Sequence, residues 1–91
     1  MTISLEDMKN YLRVDFDDDD ELIVHLISSA EKICMDILRT SRISKLYRYS
    51  NGKTAVMYAA AYLYEHREKA EHDELILTIR ALLSADRKDD F

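Results

Sequence analysis

Apolar residues recur at helical spacing in four stretches of this chain, and polar positions mark where each stretch stops. The first is short. Leu5, Met8, Tyr11 and Leu12 fall on one face, Ser4 stands where an N-cap belongs, and Asp7 follows three positions on, in capping-box spacing. It should end near Arg13, because Val14-Asp15-Phe16 breaks the period. The second stretch is the clearest: Leu22, Ile23, Leu26, Ile27, Ala30, Ile33, Cys34, Ile37 and Leu38 form one wide stripe. It predicts a helix of about 20 residues, or roughly 30 Å, capped by one of Asp17, Asp18 or Asp19, with Asp20 and Glu21 favouring its positive end.

The third helix should run from about Lys53 to Lys69. Between Ala55 and Tyr64 it is apolar on every side, and a helix of that kind is covered on every side. A fourth helix follows, with Asp73 as its cap and Leu75, Ile76, Ile79, Leu82 and Leu83 as its buried stripe. The end of the chain reads as a polar tail, flexible from about residue 86. From Thr40 to Gly52 no period holds. Ser41, Ser44, Ser50, Asn51 and Gly52 are turn-prone, while Ile43, Leu46, Tyr47 and Tyr49 can pin the segment to the body. This predicts a structured loop with at most one short helical turn; a pair of short strands is the less favoured reading.

Composition supports the pattern. There is no proline and one glycine among 91 residues, whereas sheets and sandwiches need turn residues at short intervals. The expected fold is therefore all-α: a small bundle of about four helices (short, long, long, short) with a structured loop between helices two and three. Residues 1–91 are expected to form a single domain. Cys34, the lone cysteine, lies within the apolar stripe of helix two and reads as a small buried hydrophobe. No apolar run approaches the roughly 20 residues that cross a bilayer, and no signal peptide opens the chain. A soluble protein made in a cytoplasm, with no membrane partner, is the expectation.

Candidate chemistry is sparse. Asp15, Asp17 and Asp19 alternate as in an EF-hand loop, but the glycine position holds Asp20 and the bidentate glutamate position holds Leu26. That leaves at most weak divalent binding to an exposed cluster. His25, His66 and His72 form no metal-ligand spacing with Cys34 or one another. Glu65 and His66 are adjacent on a helix, so they point about 100° apart and do not converge on one atom. No phosphate-cradling glycine loop and no nucleophile with a base is present. Neither an enzyme nor a cofactor is expected.

The distribution of charge is more informative. Asp15, Asp17, Asp18, Asp19, Asp20 and Glu21 precede helix two without a base among them; Arg39, Arg42, Lys45, Arg48 and Lys53 follow it without an acid. The two blocks should lie about 30 Å apart, one negative and one positive. Ordinary solvated surface is one reading. The other is a heterologous contact between copies, which closes into a ring when the rotation permits. The apolar third helix, with Tyr58 and Tyr62, favours the second, because three short neighbours would leave part of it uncovered. The expected subunit-interface residues are thus Asp17, Asp18, Asp19, Asp20, Glu21, Arg39, Arg42, Lys45, Arg48, Lys53, Tyr58 and Tyr62. Tyr47 and Tyr49 interleave with the bases, which also suits non-specific contact with DNA in a channel; the net charge of −5 argues against a general nucleic-acid binder.

Three segments carry a resemblance. Leu5-Glu6-Asp7-Met8-Lys9-Asn10-Tyr11-Leu12-Arg13-Val14-Asp15, with the acidic turn and Glu21-Leu22-Ile23 after it, resembles the opening of phage head–tail connector (adaptor) proteins. Ala59-Ala60-Ala61-Tyr62-Leu63-Tyr64-Glu65-His66-Arg67-Glu68 is similar to that family's alanine- and tyrosine-rich helix, and Ile79-Arg80-Ala81-Leu82-Leu83 to its closing helix. The resemblance implies one subunit of a ring, commonly of about twelve copies. That ring sits under the portal protein at the head–tail junction of the virion, extends the DNA channel and receives a head-closure or tail protein. It also implies that the C-terminal helix and tail face the portal, with Arg87, Lys88 and Phe91 as the residues concerned. Where family members carry a proline–glycine turn before that helix, this chain has Glu71-His72-Asp73. A small helical interaction or regulatory module, acting as monomer or dimer, is the alternative.

Overall fold

The computed structural model describes residues 3–67 and 72–84. They form five helices: α1 (Leu5–Leu12), α2 (Asp20–Leu38), α3 (Ile43–Leu46), α4 (Gly52–Glu65) and α5 (Asp73–Ser84). The four long ones match the four apolar stretches, and α3 is the single short turn in the segment between α2 and α4. There is no strand among the described residues.

Local signals explain most of the helix ends. Ser4 Oγ accepts the amide of Asp7 at 3.0 Å, so α1 starts where its cap predicts. α1 and α2 both stop in Schellman turns. The amide of Val14 reaches the carbonyl of Lys9 at 2.9 Å, and that of Thr40 the carbonyl of Met35 at 3.0 Å. The left-handed residue in each turn is an arginine, Arg13 and Arg39, where glycine is usual. The start of α2 departs from expectation. Asp19 occupies the N-cap position, but its carboxylate makes no capping bond; it is taken by a tyrosine from α4, described below. α4 ends at Glu65, four residues short of the expected Lys69, and Asp73 is the first residue of α5 rather than its cap.

The most extensive packing is between α2 and α4. Ile23, Ile27, Ala30 and Cys34 from α2 are buried with Ala55, Val56, Ala59 and Ala60 from α4. Small side chains let two helices approach closely, so this seam brings the backbones together. Leu75, Ile79 and Leu83 of α5 and Met8 of α1 complete the cluster, every one of them at most 1% exposed. Each such side chain contributes about 1.5–3 kcal/mol by leaving water. Cys34 is a free buried thiol that burial pushes up to about 12, which keeps it unreactive.

One polar pair sits inside this core. Glu31 occupies the apolar stripe between Ile27 and Cys34, and Tyr47 donates its hydroxyl to Glu31 Oε2 at 2.7 Å. The bond ties the segment after α3 to the middle of α2. Desolvation, then that bond, raises the Tyr47 phenol well above its ordinary value. Leu46 is fully buried and Tyr49 partly so, as expected of residues that pin the segment; Ile43 is not, and remains half-exposed.

Gly52 opens α4 directly beneath the end of α3. A Cβ at this position would run into the carbonyl oxygen of Leu46. Gly52→Ala should therefore force the two segments apart and destabilise the protein by about 1–3 kcal/mol. Thermal unfolding followed by circular dichroism should show a Tm lower by roughly 4–8 °C per kcal/mol; an unchanged Tm would show that the contact yields without strain.

Candidate interaction surface

The chain direction decides where the charges go. At one end, Tyr64 near the finish of α4 donates its hydroxyl to Asp19 Oδ2 at 2.7 Å, so α2 and α4 run antiparallel. At the other end, Asn51 Nδ2 donates to the carbonyl of Leu82 at 3.0 Å, joining the start of α4 to the finish of α5. α5 is thus antiparallel to α4 and parallel to α2. The starts of α2 and α5 and the finishes of α1 and α4 consequently share one end of the bundle.

This end is more acidic than the sequence block alone. Glu65, Asp73 and Glu74, remote from Asp15–Glu21 in the chain, are exposed at the same end. Half of the acidic block serves the fold. Lys9 Nζ lies 2.8 Å from both Asp17 Oδ1 and Asp20 Oδ1, and Asp19 is held by Tyr64. Contact with Asp17, then with Asp20, holds the Lys9 ammonium above the ordinary lysine range, and Lys9 in turn holds Asp17 below 3.8. Arg67 covers the ring of Tyr64 at 4.9 Å. Asp18 and Glu21 are exposed and carry no ion pair among the described residues.

At the opposite end Arg39, Arg42, Lys45 and Arg48 are all exposed and none is ion-paired among the described residues. Lys53 reaches Asp7 at 3.9 Å. The expected positive end is thus present and centred on α3.

The apolar surface of α4 is largely taken up within the chain. α4 is covered by its own subunit: Tyr62 is only 8% exposed, stacked on His66 at 4.2 Å and edge-on to His72 at 5.9 Å, and Tyr58 is partly buried. The large apolar side chains left exposed lie elsewhere: Tyr11 (49%), Phe16 (51%), Val24 (49%), Ile43 (36%) and Leu77 (64%). α4 packs most heavily on α2, then on α5 and α1. Arg87, Lys88 and Phe91 lie outside the described residues.

Beside Tyr62 lies a groove of about 570 Å³ at the acidic end. It is lined by Tyr11, Leu12 and Arg13, by Tyr58, Ala61 and Tyr62, and by Glu65, His66 and Glu74. These side chains come from α1, α4 and α5, so no single stretch of sequence announces the groove; only the antiparallel order of the helices does. No group of three or more His, Cys, Asp or Glu able to hold a metal occurs among the described residues. No described helix is long and apolar enough to cross a membrane.

The family model for phage gp6-like head-tail connector proteins matches residues 2–83, and the chain belongs to that family. It is a structural connector of the phage particle, a class that is not enzymatic, and its family associates with other head and tail proteins. No curated protein and no solved structure matches the chain.

The Lys9–Asp17 contact predicts a pH dependence. Asp17 is lowered in the folded protein, so its stabilisation is present above 3.8 and is lost as pH falls through its own depressed value. The pair is exposed on the Asp17 side, which keeps the effect small. The difference in Tm between the wild type and Asp17→Asn should be largest at neutral pH and close as pH drops below 3.8. A gap that stays constant through that range would rule the contact out as its cause.

Proposed function

We propose that this chain is one subunit of a ring at the head–tail junction of the virion, assembled in the host cytoplasm. The ring docks under the portal protein, extends the DNA channel and receives a head-closure or tail protein. The observation that carries the reading is the connector-family match over residues 2–83. It supports a connector over a dimeric regulatory module. Non-specific contact with DNA inside the channel is part of the proposal.

The two-ended charge supports a heterologous contact. A two-fold contact through either end would set like charges against each other, whereas end-to-opposite-end association pairs them and can close. Asp18, Glu21, Arg39, Arg42, Lys45 and Arg48, which carry no ion pair among the described residues, are the interface residues for this contact. Asp17, Asp19 and Asp20 contribute to the potential while held by Lys9 and Tyr64. The portal-facing role of Arg87, Lys88 and Phe91 is proposed from the family resemblance alone.

Assembly should grow with protein concentration and weaken with salt, because exposed charges are screened beyond about 10 Å at 0.1 M. Replacing Arg42, Lys45 and Arg48 together by Glu should abolish the oligomer in light scattering, with or without portal protein, and leave helicity unchanged. Equal assembly by this triple variant would remove the electrostatic contact from the proposal.

A further inference from the structure

Two features of the surface match each other. One is Ile43. It stands in the first turn of the basic end, half-exposed, beside Arg42 and Lys45, while every other large apolar side chain of that segment is turned inward. The other is the groove at the acidic end, with its tyrosine lining and its exposed glutamates, Glu65 and Glu74. An aliphatic side chain flanked by Arg42 and Lys45 suits a groove lined by Tyr58 and Tyr62 whose exposed carboxylates, Glu65 and Glu74, outnumber its one exposed cation, Arg13.

We infer that the groove between α1, α4 and α5 receives the α3 turn of a second copy of this chain, with Ile43 as the buried anchor. The inference rests on the ring reading and deepens it by naming the seat of the contact. Ile43 enters over Tyr58 and Ala61. Arg42 and Lys45 lay their aliphatic stems along the groove wall and bring their charges to Glu65 and Glu74. A single apolar anchor in a desolvated pocket, ringed by polar pairs, is the usual anatomy of an energetic centre in an interface. The groove and the anchor lie at opposite ends of the bundle. One copy therefore fills its neighbour's groove while its own stays open for the next, which is the requirement for a ring and not for a pair.

The test uses the full chain in analytical ultracentrifugation. Ile43→Asp removes the anchor and Ala61→Trp fills the groove. Each variant alone should need on the order of tenfold more protein to associate than the wild type. An equimolar mixture of the two retains one good anchor and one good groove, so it should give two-chain species and nothing larger. A second measurement does not depend on the Trp variant folding. Ile43→Cys and Tyr11→Cys chains, mixed under mild oxidation, should form a disulfide-linked pair faster than either alone; buried Cys34 does not compete.

Wild-type-like assembly of either variant, a mixture that fails to associate, or Ile43→Cys linking to itself as readily as to Tyr11→Cys would each overturn the groove contact while leaving the ring intact. If Ile43→Asp assembles normally but loses affinity for a short DNA duplex, the α3 turn serves phosphate and the inference is wrong. A wild-type chain that stays monomeric at every concentration, portal protein included, ends both the ring reading and this one.

Discussion

Small side chains along the seam between α2 and α4 let the two long antiparallel helices approach closely, and the placement of nearly every charge follows from that packing. Ala30 on α2 and Ala55, Ala59 and Ala60 on α4 are buried to 1% exposure or less. Larger residues there would move the helices apart and break the contacts at both ends, the Tyr64–Asp19 bond at one and the Gly52–Leu46 approach at the other. A short chain has little stability in reserve. It is therefore economical that the same seam both supplies the core and orients the surface.

The acidic end has two layers as a result. Asp17, Asp19 and Asp20 are held by Lys9 and Tyr64 and help to keep α1, α2 and α4 together. Asp18, Glu21, Glu65, Asp73 and Glu74 lie outside them, exposed. The basic end has no such inner layer among the described residues: Arg39, Arg42, Lys45 and Arg48 make no ion pair there. A surface charge that the fold does not use is available for a partner, and here the available charges are of opposite sign at opposite ends.

Much of the fold was legible because it is local. The stripe from Leu22 to Leu38, the Ser4 cap and the buried Leu75, Ile79 and Leu83 are consequences of spacing within one helix. What was not legible depends on partners distant in the chain. Asp19 stands where a cap stands, yet a tyrosine 45 residues away claims its carboxylate. Tyr62 stacks on His66 and meets His72 edge-on, the latter from just before the next helix. Glu31 gave one usable signal, since it sits four residues after Ile27 and three before Cys34 on the buried face; a carboxylate there demanded a donor, and Tyr47 is that donor. The groove at the acidic end was beyond reach, because its walls come from three helices whose order in space no local pattern states.

The chain is a connector of the phage particle by family, and its antiparallel packing lets so small a protein present two unlike ends. Those ends are set by the α2–α4 seam. Native-state amide hydrogen exchange tests it most directly, because residues in the most stable unit open only with the whole protein. The slowest amides should be those of α2 from Ile27 to Cys34 and of α4 from Val56 to Ala60, exchanging together at the rate set by global unfolding. If those amides exchange as fast as the amides of α1, the seam is not what orients the molecule.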